Sequence, residues 1–198
     1  MRRFFAALSV LLLTACAAED LSRPPEPLGD FAVGYTIVVA KNAQSVGPSR
    51  QATAREWEHV LKTALDKHFG RYDGDKLYHI GVTVDAYALA IPGVPVVLNP
   101  KSVLAINVNV WDDTAGRKIN AEPEQLTVFQ SLSGETVIGS GLTQNRKEQM
   151  EDLAANAADD INDWLLRNKA WFTPEAVAAR AALAAAEGTA PKPPATTN

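Results

Sequence analysis

Two stretches of alternating residues fix the kind of fold open to this chain. Tyr78, Ile80, Val82, Val84 and Ala86 are separated by His79, Gly81, Thr83, Asp85 and Tyr87. Leu104, Ile106, Val108 and Val110 are separated by Ala105, Asn107, Asn109 and Trp111. A period of two sends the two sets to opposite faces of a strand. One apolar and one wetter face is the habit of antiparallel sheets, and the apolar face needs a cover.

Helical patterns on either side supply that cover. Thr53 and Glu56 are spaced as a capping box, and Trp57, Leu61, Ala64, Leu65 and His68 follow on one helical face. Gly70 is placed to end that helix at its C′ position. A longer helix is expected from about Arg146 to Arg167, with a stripe of Met150, Leu153, Ala154, Ala157, Ile161, Trp164 and Leu165. Tyr35–Val39 reads as a strand by its β-branched content. Another is expected around Leu126–Gln130, with a weaker one at Glu135–Gly139, and Asp112–Lys118 carries turn chemistry. The order β-α-β-β-β-α predicts an α+β two-layer sandwich. A largely antiparallel sheet of four to five strands would carry two main helices on one face. The first strand should run parallel to a neighbour after a crossover.

The chain ends read differently from this domain, expected over 30–172. Arg2 and Arg3 precede an apolar run from Phe4 to Leu13, too short to span a bilayer, and Leu13-Thr14-Ala15-Cys16 closes it. That is a lipoprotein signal over 1–15, with Cys16 as the acylated N-terminus. Ala15-Cys16-Ala17 also fits an ordinary secretory cleavage site, which would leave a lone free thiol in an oxidising compartment. Residues 16–29, with Pro24, Pro25 and Pro27, read as a tether. Residues 173–187 read as a peripheral Ala-rich helix, and 188–198 as a disordered tail.

Charge and chemistry narrow the function. Removing the leader takes away two of 19 basic residues and no acidic one, so the net charge moves from −4 to −6. Nucleic acid is a poor partner for such a surface. Membrane attachment would rest on acyl chains, each methylene contributing about 0.8 kcal/mol. No Gly-x-Ser-x-Gly elbow is present, and Cys16 is the sole cysteine. Ser131 and Ser133 sit in a turn-like run, and Gly134, Gly139 and Gly141 form no phosphate cradle. His59, His68 and His79 lack metal-ligand spacing. Asp73-Gly74-Asp75 and Asp112-Asp113 are too short for calcium and read as turns. No catalytic residue, metal or cofactor is assigned, and the chain reads as non-enzymatic.

Two features remain as candidate contact sites. Residues 91–100 join two amphipathic strands with a long apolar loop, where Val94, Val96, Val97 and Leu98 either offer a surface to a partner or lipid, or fold back over an open end of the sandwich. The second is the wetter sheet face, where Tyr87 and Trp111 either tolerate solvent or anchor a partner.

The lipobox, the element order, the strands ending in Asp112-Asp113-Thr114-Ala115-Gly116-Arg117-Lys118 and the closing Ile161-Asn162-Asp163-Trp164-Leu165 resemble a group of small bacterial envelope lipoproteins. These are the ABC-transport auxiliary lipoproteins and the LptE-like lipopolysaccharide-assembly lipoproteins. The resemblance implies an anchored, periplasm-facing accessory of an envelope assembly or transport system, with an envelope protein as partner. Ala17 and Ala18 behind Cys16, with no Asp at the next position, resemble enterobacterial sorting signals that direct release to the outer membrane. A binder of lipid or of another small apolar ligand is the alternative reading.

Overall fold

A computed structural model describes Leu21 and residues 23–91, 102–131 and 145–186. Cys16, Val94, Val96, Val97 and Leu98 lie outside the described residues, as do the strand expected at 135–139 and the tail. Strand β1 (Ala32–Val39) is followed by the two-residue β2 (Gln44–Ser45) and helix α1 (Ala54–Phe69). Then come β3 (Leu77–Ala88), β4 (Val103–Asp112), the two-residue β5 (Arg117–Lys118) and β6 (Glu124–Phe129). Helix α2 (Arg146–Arg167), a 3-10 turn (Lys169–Phe172) and helix α3 (Pro174–Ala186) complete the fold.

The sheet is mixed. β3 pairs antiparallel with β4, which pairs antiparallel with β5 and β6. β1 and β2 pair parallel with β3, so the chain crosses over through α1 as expected. Both long helices start in capping boxes, Thr53 with Glu56 and Asn145 with Glu148. Each box satisfies otherwise orphaned backbone N–H groups of the first turn. Gly70 ends α1 with φ −65°, a right-handed conformation and not the left-handed one its position suggested. Trp57, Leu61, Leu65 and Phe69 of α1, and Leu153, Ala157, Ile161 and Leu165 of α2, pack on Ile80, Val82, Val84, Leu104, Ile106 and Val108. This is the two-layer α+β sandwich, with a six-stranded sheet.

Three expectations need correction. Tyr87 does not lie on the wetter sheet face. The β3–β4 register slips between Val84 and Ala86, leaving Asp85 as an extra residue. Such a bulge inverts every later side chain. Tyr87 is therefore buried, its ring 5.3 Å from that of Trp57 and its hydroxyl donating to the Ala52 carbonyl at 2.9 Å. It belongs to the core.

The Pro-rich segment is not all spacer. Leu28 is buried beside Phe31, the Arg23 carbonyl accepts from Arg71 Nη1 at 3.2 Å, and the Glu26 carbonyl accepts from the Tyr72 hydroxyl at 3.1 Å. Helix α3, third, is more than a peripheral appendage. Arg180 Nε donates to Asp112 Oδ2 at 2.8 Å, and Arg180 Nη1 to the Trp171 carbonyl at 2.7 Å. The Asp112 side chain is 4 % exposed and that of Arg180 14 %, so a buried ion pair clamps α3 to the end of β4.

Candidate docking face

Helices cover one face of the sheet, and the strand registers show what the other presents. Tyr35 of β1 pairs with His79 of β3, His79 with Trp111 of β4, and Trp111 with Lys118 of β5. The next row on the same face is Ile37, Gly81 and Asn109, and beyond it lie Val39, Thr83, Asn107 and Gln125. Among the described residues, seven large hydrophobic side chains are exposed: Tyr35, Ile37, Val46, Leu77, Trp111, Phe129 and Leu183. Five of them, all but Val46 and Leu183, fall on this open face by register, so exposed apolar surface is concentrated there and not scattered. Ile37 is 58 % and Trp111 44 % exposed. Gly81 lies between them with no Cβ, which leaves a shallow dip in the patch.

His79 sits at the centre of the first row, held by its neighbours. The Tyr35 backbone N–H donates to His79 Nδ1 at 3.1 Å. A backbone N–H can only donate, so Nδ1 carries the lone pair and the proton is on Nε2. Nε2 donates in turn to Asp113 Oδ1 at 2.9 Å. Both ring nitrogens hold hydrogen-bond partners in this arrangement, Nδ1 accepting and Nε2 donating. The local backbone is built around this ring. A register irregularity between Val33 and Tyr35 brings the Tyr35 N–H to it. A Cβ on Gly34 would sit 2.8 Å from His79 Cε1, so only glycine leaves the ring its place.

The other histidines lie on the helical side. Buried His68 makes its Nδ1 contact to Asp159 Oδ1 at 3.1 Å, with Arg71 Nη2 3.3 Å from Nε2. It is a core-edge histidine, as its place on the apolar stripe suggested. Exposed His59 lines a groove between α1 and α2. Ser131 ties β6 to α2: its N–H donates to Asp152 Oδ2 at 3.0 Å, and its hydroxyl donates to Asn156 Oδ1 at 3.1 Å. Burial raises the Asp152 carboxyl above its ordinary pKa, although the bond from the Ser131 N–H pulls the other way. Asp112, read as a turn residue, does accept from the Ala115 N–H at 2.9 Å, and it also carries the Arg180 pair. Among the described residues, no three His, Cys, Asp or Glu side chains converge as metal ligands. No helix among them is long and apolar enough to cross a membrane.

Of the sequence-predicted contact residues, Trp111 stands on the open face and Tyr87 does not. Tyr35 and Ile37 were missed, although the Tyr35–Val39 run held the signal: alternation places Tyr35 and Ile37 together, opposite Thr36 and Val38. What that run lacked was any mark that β1 pairs with β3 alone among the described strands.

No family model matches the chain, and no curated protein matches it. Among solved structures it is similar to a hypothetical protein of Chlamydia trachomatis, at 13 % identity and TM-score 0.40, covering 69 % of this chain and 98 % of that one. It is similar to a candidate lipoprotein of Caulobacter crescentus at 15 % identity and TM-score 0.36, covering 66 % and 92 %. A minor lipoprotein of Acinetobacter baumannii matches at 20 % identity and TM-score 0.29, covering 65 % and 92 %. Two of these three carry a lipoprotein name, and similarity at this level assigns the chain to no family.

Proposed function

We propose that the protein is a non-enzymatic lipoprotein, anchored through Cys16 and facing the periplasm from the outer membrane. It would serve as a docking module of an envelope assembly or transport machine. The observation that carries this reading is the open sheet face, where Tyr35, Ile37 and Trp111 stand exposed around Gly81. Aromatic side chains are enriched at the anchoring positions of protein interfaces. The histidine at the centre of that face is held by Tyr35 and Asp113, so the ring is fixed within the surface. The leader supports the address.

The experiment is purification of the lipidated protein from native membranes in mild detergent, beside Trp111→Asp and Ile37→Asp variants, with mass spectrometry of what accompanies each. The expected result is one envelope protein at a stoichiometric level with the unaltered chain and at least tenfold less with either variant, equivalent to about 1.4 kcal/mol of binding. Equal recovery with all three proteins would overturn the docking face. An intact mass without acyl chains on Cys16 would overturn the anchor.

A further inference from the structure

The chain leaves the domain on its helical side. Leu21 lines a groove of about 340 Å³ with Val60 and Ala64 of α1 and Ala155 and Ala158 of α2. From there the chain passes the Arg71 and Tyr72 contacts and enters the core at Leu28. Only five residue steps separate Leu21 from Cys16. Fully extended, they reach no more than about 18 Å. From the groove between α1 and α2, the way to the far side of the sheet crosses one helix, about 10 Å wide, and then descends past the helical layer, about 10 Å thick, and the sheet behind it, so five residues cannot carry an anchor there.

From this we infer that the outer surface of α1 and α2 is the membrane-facing side of the protein, its occupant being the bilayer surface. The open sheet face with Tyr35, Ile37 and Trp111 then points away from that bilayer, toward partners reached from the periplasm. The inference rests on the proposed acylation of Cys16 and deepens it, by adding which way the docking face looks. Charge does not set this orientation. Helices α1 and α2 together carry six Lys and Arg against nine Asp and Glu, a net charge of −3. Such a surface has no attraction to anionic headgroups. The short tether imposes the orientation, so lengthening the tether must abolish it.

The test uses the full lipidated chain in vesicles of phosphatidylethanolamine and phosphatidylglycerol. Cys16 is acylated and no other cysteine exists, so Asp163→Cys on the helical side and Thr83→Cys on the open face each provide a single thiol for a fluorophore. Quenching by a headgroup nitroxide lipid should be about threefold stronger at 163 than at 83, since a helical layer about 10 Å thick separates them. About 12 Gly-Ser residues inserted after Asp20 should bring that ratio close to one, and Leu21→Asp should lower it. A protein that floats with the vesicles yet quenches equally at both positions, or more at 83, overturns the orientation alone. A protein that does not float overturns the anchor and the orientation with it.

Discussion

Arg180→Met should be the most damaging single change outside the apolar core. The guanidinium and the Asp112 carboxylate are both almost wholly screened from water, at 14 % and 4 % side-chain exposure. Removing the cation leaves Asp112 with the Ala115 N–H as its remaining partner among those described. Stranding one charge of a buried pair costs about 3–5 kcal/mol, because the desolvation is no longer offset. Asp112→Leu should cost a similar amount by stranding the arginine. The double change Asp112→Leu with Arg180→Leu should recover most of the loss, since two apolar residues need no desolvation compensation. Urea unfolding at pH 7, followed by far-ultraviolet circular dichroism, supplies the free energies. Hydrogen exchange on α3 shows whether the helix peels away first. Single changes costing under about 0.5 kcal/mol, or a double change that costs the sum of the two, would refute the reasoning.

Tyr78→Phe should change stability by less than about 1 kcal/mol in the same urea assay, because the buried hydroxyl has only a minor interaction with Arg180 and no well-formed hydrogen bond among the described residues; a loss above about 1.5 kcal/mol would contradict it. Gly74→Ala should lower the melting temperature by several degrees, a cost of about 1–3 kcal/mol, since its Cβ would lie 2.3 Å from the Phe31 backbone nitrogen. Burial first, then the charges of Asp163 and Asp159, raise the Asp160 carboxyl. A raised carboxyl stabilises the folded state only while protonated, so Asp160→Asn should add about 0.5 kcal/mol at pH 7 and nothing near pH 3. Glu56 runs the other way: the Arg146 guanidinium, then Thr53, lower its carboxyl from 4.5 to about 2. Its contribution, about 1 kcal/mol at this half-exposed pair, is complete above pH 4.5 and fades as pH falls through about 2, and Glu56→Gln should flatten that acid limb in a pH titration of stability.

Legibility in the sequence followed the strength of the periodicity. β4 and α2 were readable because every residue of their patterns obeys one period, and nothing interrupts it. β3 was readable only as far as Val84. The bulge at Asp85 slips the phase by one residue, and alternation cannot announce its own interruption. Tyr87 was misplaced for that reason alone. Arg180 in an Ala-rich helix looks like an ordinary solvated residue, because its partner lies 68 positions away. The prolines at 24, 25 and 27 suggested a spacer, while the single apolar Leu28 behind them docks the segment on the core. Exposure of Tyr35 and Ile37 depends on sheet order, and a list of strands does not contain it.

The central claim, a docking face opposite the helices, is tested most directly by photo-crosslinking in the native host. Benzoylphenylalanine is placed in turn at Ile37, Trp111 and Thr83 on the open face, and at Thr63 on the outer surface of α1. The account predicts one discrete protein adduct, shared by positions 37, 111 and 83 and absent at 63. A protein adduct at 63 with none at the other three would contradict it.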